Sequence, residues 1–246
     1  MVGDDADGDR IRDFLTEHSV QLVATRAPNG TARAVSDRSD GEPRYVFNRA
    51  AMEREIRFDE AARSALDQAP LVVVSCYPFD SDGKTDALLD AVADAPARLV
   101  VDPNPRPGMM HDLAAFVRNV DRVAAEARLI KIGDEDSALL YDSDLGTVAV
   151  RLQHAGAAFV LATAGRRGAD LLTPDGPAHA AVATLPGPVI DTMGAGDATL
   201  AAVTDSLRRA DVQETGDLDF WRGALDNAMV IAAATCRSEG ALLRLP

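Results

Sequence analysis

The sequence predicts one α/β domain over residues 1–246, a mostly parallel sheet flanked by helices with a small β ribbon near the N-terminus. Three observations carry this. From Phe58 onward, short apolar β-branched runs alternate with amphipathic stretches of helical period. Those runs are continuous rather than alternating, as in strands covered on both faces. With 246 residues, 47% of them hydrophobic and 26% charged, the chain can bury one substantial core.

IRDFLTEH, after Asp7, places Ile11, Phe14, Leu15 and His18 at helical spacing, with acidic residues at the start, where the helix dipole favours them. Two extended segments follow, VQLVATR and TARAVSD, separated by Pro28-Asn29-Gly30. With PRYVFN after Asp40-Gly41 they read as an antiparallel ribbon, residues 20–48, that projects as a lid. The helix FDEAARSALDQ, the buried strand LVVVSCY, the helix TDALLDAVAD and the strand ARLVVD then set a βαβ rhythm. It continues through the helix AAFVRNVDRVAAEA, the strand RLIKI, a helix from Asp134 to Tyr141, another near TVAVRLQHAG and the strand AAFVLATA. Short strands GADLLT and AHAAVAT precede Pro186-Gly187-Pro188. Helices from about Gly196 to Arg209 and from about Leu218 to Arg237, with a final strand ALLRL, close the chain.

Composition narrows the function. Acidic residues outnumber basic ones by 39 to 25, a formal charge of -14, which is the wrong sign for a general phosphate-backbone binder, so nucleic acid is not an expected partner. Cys76 and Cys236 sit in apolar stretches without C-x-x-C spacing, and MVGDDADGDR lacks the apolar core of a signal peptide; a cytoplasmic protein is expected. The longest apolar runs are too short to cross a bilayer, so no membrane contact is expected either. Four scattered histidines give no zinc spacing. Lysine occurs only at Lys84 and Lys131 among 25 basic residues, a bias expected of a GC-rich genome.

The sharpest local feature is Asp191-Thr192-Met193-Gly194-Ala195-Gly196-Asp197, which follows an extended segment and opens a long helical pattern. Small residues at Gly194, Ala195 and Gly196 let the backbone approach a ligand, with their N–H groups at a helix N-terminus that favours an anion. A dinucleotide fingerprint would need a third glycine where Thr199 stands, and Asp197 would oppose a pyrophosphate. Asp197 suits a general base better: a carboxylate ionises near ~3.9 and can accept a hydroxyl proton while adjacent amides hold the charge of a transferring phosphoryl group. Gly83-Lys84-Thr85 imitates a P-loop, but Pro78 stands at its first glycine and Asp80 and Asp82 lie where phosphates would sit.

The seven-residue string resembles the D-T-x-G-A-G-D signature of the PfkB, or ribokinase-like, carbohydrate kinases. VGDDADGDRIRDFLTEHSV is similar to the family's G-D-D-x-x-G segment and helix, VLATAGRRGADLL to its T-x-G-x-x-G strand and turn, and AMVIAAATCRSEGALLRLP to its helix and G-A turn beside the nucleotide. VDPNPRPGM and KIGDEDSALLY resemble bacterial fructokinases of this family. The resemblance implies a ribokinase-like α/β fold with a β lid, and ATP-dependent phosphorylation of a sugar hydroxyl, fructose first. Other outcomes of the same ancestry are a kinase for 2-keto-3-deoxygluconate, ribose or a nucleoside, or a non-catalytic nucleotide- or sugar-binding remnant. It implies Asp197 as base, Gly194, Ala195 and Gly196 as anion hole, and Asp191 beside a monovalent cation, K+. Lys131, Thr163, Gly165, Gly168 and Asn227 fall along the ATP site, and Asp136 takes the place of an acid that influences Mg2+, with Gly133 where the motif has Asn. Asp102, Asn104 and Arg106 fall on the substrate and phosphate side, where the planar guanidinium of Arg106 suits an oxyanion. The departures are Met193 for Thr and Thr199 for Phe. The family's opening strand with its sugar-contacting Asp, and its Gly-Gly-x-x-x-N stretch, have no counterpart here. Related kinases pair through their β flaps, which makes the ribbon the expected homodimer surface.

Overall fold

A computed structural model describes residues 1–37, 44–93, 98–210 and 217–243. They fall into two compact units, Met1–Ala69 with Cys76–Ala95 and Pro105–Asn119, and Pro70–Ser75 with Pro96–Asn104 and Val120–Pro246.

The first unit opens with α1 (Ala6–Glu17), whose N-cap Asp5 accepts the Gly8 N–H at 2.9 Å. Asp5 also accepts the Thr31 N–H at 2.8 Å and its hydroxyl at 2.6 Å, which pins the helix start to a loop 26 residues on. The ribbon is made of β1 (Ala34–Asp37) and β2 (Arg44–Phe47), antiparallel, with Val35 opposite Val46. VQLVATR is not part of it: residues 20–25 carry no strand, the pairing there among the described residues is the single bridge between Arg26 and Val2, and Val20, Leu22 and Val23 are exposed. The ribbon's turn, with Asp40-Gly41, lies outside the described residues. A single helical turn, α2 (Arg49–Met52), capped by the Asn48 side chain, and α3 (Glu60–Gln68) follow. In α4 (Asp82–Ala91) Gly83-Lys84-Thr85 sits inside the helix, Thr85 is buried, and the Lys84 ammonium donates to the Arg54 carbonyl at 2.8 Å. The unit's core includes Phe79 packed edge-on against Phe116.

The second unit is a six-stranded sheet in the order β3 (Val72–Ser75), β4 (Leu99–Asp102), β5 (Leu129–Gly133), β6 (Phe159–Thr163), β7 (Ala169–Thr173), β8 (Gly176–Ala180). The first four strands are parallel and the last two antiparallel. α5 (Leu113–Ala124) belongs to the first unit as far as Asn119 and to the second from Val120; α6 (Asp134–Tyr141) and α7 (Leu145–Ala155) supply a crossover of the second, and its α8 (Ala195–Arg209) and α9 (Leu218–Thr235) pack together. Val203, Leu207, Trp221 and Leu225 from these two helices bury against Leu129, Phe159 and Leu171 of the strands. Trp221 is a packing residue, its ring tilted against Phe159 at 5.0 Å between centroids.

Three further strand expectations change. β3 is an edge strand rather than a buried one, with Val73 51% exposed, because among the described residues nothing pairs with its outer side. The strand expected at AHAAVAT ends at Ala180, shifted toward the β7 turn by the Thr173↔Gly176 register. Residues 241–243 form no strand, since Gly240 and Ala241 are drawn against the 191–194 loop; the remainder of ALLRL lies outside the described residues.

Candidate active site

The cradle forms where the chain enters α8. Gly194 has φ +80°, and a Cβ there would fall 2.1 Å from the Ala241 carbonyl oxygen, so only glycine fits. The Ala198 N–H bonds the Gly194 carbonyl at 2.8 Å, and the Ala195 N–H reaches Thr192 O at 3.3 Å. The N–H groups of Gly194, Gly196 and Asp197 take no hydrogen bond among the described residues. Helix starts leave such donors unsatisfied and carry partial positive charge, so this turn is chemically an anion site. Asp197, in the first turn, is exposed, and among the described residues no hydrogen bond or ion pair engages its carboxylate.

The turn after α9 frames this loop. The Cys236 carbonyl accepts the N–H groups of Ile190 at 2.8 Å and Asp191 at 3.3 Å. The Asp191 carboxylate accepts the Met193 N–H at 3.0 Å and the Gly240 N–H at 3.3 Å. Arg237 donates to the carbonyls of Leu185 (2.7 Å), Pro186 (3.0 Å) and Ala233 (2.6 Å), tying the segment before Asp191 to the end of α9. Burial pushes the Cys236 thiol upward, away from thiolate chemistry.

Beneath the cradle lie two charged residues at strand ends. Val101 of β4 pairs with Ile130 of β5, so the next residues, Asp102 and Lys131, are neighbours. Asp102 is fully buried and Lys131 is 6% exposed; the ammonium lies 3.1 and 3.2 Å from the two carboxylate oxygens. A Cβ on Gly196 would stand 3.3 Å from Lys131 Cε and 3.5 Å from Nζ, which places the lysine tip against the cradle. Burial pushes the Asp102 carboxyl above its ordinary value; Lys131 opposes this, and the nearby Asp136 and Asp197 carboxylates add to it.

Along the sheet's carboxyl edge, where open α/β folds bind ligands, Gly133 is in register with Thr163. Asp136 folds back to accept the Gly133 N–H at 3.0 Å, filling space that a side chain at 133 would need. Gly165 opens a short 3-10 turn, and Gly168, at φ +91°, closes it; a Cβ on Gly168 would meet the Ala180 carbonyl at 2.1 Å. Asn104, just past β4, holds φ +40°, an uncommon conformation for a residue with a side chain. Asn227 is exposed on α9 with no hydrogen bond among the described residues. Arg106 belongs to the other unit, where its carbonyl accepts the Met109 N–H at 2.8 Å.

The structure therefore brings together Gly194, Ala195, Gly196, Asp197, Lys131, Asp102 and Asp136, with Gly133 and Thr163 adjacent in the sheet. Motif reading missed the Arg237 clamp and the Asp102–Lys131 pair. A signal for the second existed, since Lys131 is one of two lysines in an arginine-rich chain. Among the described residues no three His, Cys, Asp or Glu side chains are placed to hold a metal ion. The open amides fit an anionic group such as a polyphosphate, while the Ala241 backbone and the Lys131 tip pack where Cβ atoms at 194 and 196 would stand. Among the described residues no helix is long and apolar enough to cross a membrane.

The pfkB family carbohydrate kinase profile matches residues 1–246. A fructokinase of Rhizobium leguminosarum bv. trifolii is 32% identical over 140 residues, 55% of this chain and 41% of that protein's length. Among solved structures, the fructokinase of Xylella fastidiosa with bound ATP superposes with TM-score 0.81 at 19% identity, covering 98% of this chain and 79% of that one. A double mutant of Vibrio cholerae O395 fructokinase, bound to fructose, ADP and a potassium ion, gives TM-score 0.77 at 19% identity, covering 98% and 78%. These likenesses show a ribokinase-like fold.

Proposed function

The chain belongs to the pfkB family of carbohydrate kinases, and from that premise we propose that it transfers the ATP γ-phosphoryl group to a sugar hydroxyl, with fructose as the first substrate to test. The observation that carries this is the unengaged Asp197 carboxylate beside the free amides of Gly194, Gly196 and Asp197. In this reading Asp197 takes the hydroxyl proton as the sugar oxygen bonds to phosphorus and the bond to ADP breaks. The amides stabilise the charge that develops. Thr163, Gly165, Gly168 and Asn227 line the nucleotide, and Asn104 and Arg106 serve the sugar or the phosphoryl group. Mg2+ would neutralise phosphate charge, and K+ beside Asp191 would share that carboxylate with the Met193 and Gly240 amides. We further propose a cytoplasmic homodimer joined through the ribbon, which also acts as a lid.

ADP release with fructose, 2-keto-3-deoxygluconate, ribose and a nucleoside tests the activity. Asp197→Asn should lower turnover by about 10²–10⁴-fold with thermal stability nearly unchanged; undiminished turnover removes Asp197 from the role of base. A second reading, a non-catalytic nucleotide- or sugar-binding protein, is favoured by the open edge of β3 with its half-exposed Val73. It predicts heat stabilisation by an ATP analogue and no phosphorylated product from any alcohol.

A further inference from the structure

We propose that Lys131 forms a charged floor under the Gly194–Gly196 cradle and that Asp102 is the positioning residue that holds it there. This rests on the kinase reading and adds to it a carboxylate that acts on the reaction without touching either substrate.

The geometry supplies the first argument. Asp102 has no exposed surface, and both of its oxygens face the Lys131 ammonium at 3.1 and 3.2 Å. An ammonium has three donors. Two are spent on Asp102, and among the described residues no other acceptor takes the third. The lysine tip lies against Gly196, the middle of the open amide turn.

Chain-wide side-chain choice supplies the second. This chain uses arginine for 23 of its 25 basic residues, and both exceptions point inward rather than into solvent. Lys84 donates to a backbone carbonyl in its own unit, and Lys131 sits between Asp102 and Gly196. A planar guanidinium is wider than an ammonium and directs its donors in a fixed fork, so it would not reproduce a compact ammonium held between the Asp102 carboxylate and Gly196.

Charge balance supplies the third. Asp102, Asp136 and Asp197 lie close enough for the latter two to act on the first. A polyphosphate approaching three carboxylates is repelled. Lys131 is the cation built into that cluster, and its burial lets its field act at low effective dielectric.

The test compares the full wild-type chain with Asp102→Asn, Lys131→Arg and the double variant Asp102→Leu/Lys131→Met. Replacing both members of a buried pair by apolar groups is commonly tolerated by a fold, so the double variant separates folding from function; circular dichroism and thermal midpoint check this. Expected are a kcat lower by about tenfold or more in Asp102→Asn and by about 10²–10³-fold in the double variant, with KM for fructose within about threefold. Lys131→Arg should lose kcat as well. The proposal is overturned if Asp102→Asn keeps kcat and raises KM for fructose, which would make Asp102 a sugar contact, or if the folded double variant or Lys131→Arg turns over like wild type. Calorimetry with ADP covers the remaining cases. If wild type binds ADP but transfers no phosphoryl group, the kinase reading fails on its own; the floor then stands if the double variant binds about tenfold more weakly and falls if binding is equal. A wild-type chain that binds no ADP overturns both.

Discussion

At the scale of the residue, Asp5 is constrained by hydrogen bonds in the same way that Asp197 is left free of them. Its carboxyl is drawn from the ordinary 3.8 to about 2, chiefly by the Thr31 hydroxyl and then by the Thr31 and Gly8 amides. A lowered carboxyl contributes its stability in full above its unfolded value and loses it as the pH falls through the folded one. The link between α1 and the Thr31 loop should therefore weaken between about pH 4 and pH 2. In Asp5→Asn the charged acceptor is gone at every pH, so the variant should be less stable at neutral pH and show a shallower acid transition by far-UV ellipticity. Superimposable acid titrations of the two chains would contradict this. The acidic residues at the start of α1, expected there because the helix dipole favours them, thus include one with a specific structural task.

Elements differ in how far they can be read before folding. α6 was legible residue for residue, because Gly133 and the acidic run after it mark a helix start and the apolar residues that follow it keep helical spacing. The entry to α8 was legible because Gly194 and Gly196 permit what no larger residue could. The segment at residues 20–25 misled, since its Val and Leu content satisfies strand propensity while pairing depends on a partner that propensity cannot name. The Asp102–Lys131 contact spans 29 positions and exists only through the parallel register of β4 and β5, which no local pattern encodes. Arg237 was hidden for a related reason: it binds carbonyls, and carbonyls have no sequence signature. Arg237→Ala should free Leu185 and Pro186, speed amide exchange at Ile190 and Asp191, and lower turnover about tenfold while α8 and α9 core amides stay protected. Unchanged exchange at those two amides would mean the Cys236 carbonyl holds the loop unaided.

For the molecule as a whole, the ribbon carries the proposal on assembly. Val35 and Val46 are direct cross-strand partners, 61% and 64% exposed, so one ribbon face presents apolar area that water alone covers in a single chain. Burial of that area between two copies is favourable at roughly 25 cal/mol per Å². Light scattering should report a dimer, and Val35→Asp/Val46→Asp, which brings like charges face to face across the ribbon, should yield a folded monomer. A wild-type chain that stays monomeric at high concentration would assign those valines another use.

The inward placement of both lysines has a practical side. Reagents that acylate primary amines meet both lysines of this chain already engaged: the Lys84 ammonium is bonded to a carbonyl and that of Lys131 is nearly inaccessible. Biotin esters should therefore label the lysines slowly in the folded chain and quickly once it is unfolded, so that amine labelling reports on the fold, whereas most proteins react at once through a scatter of surface lysines.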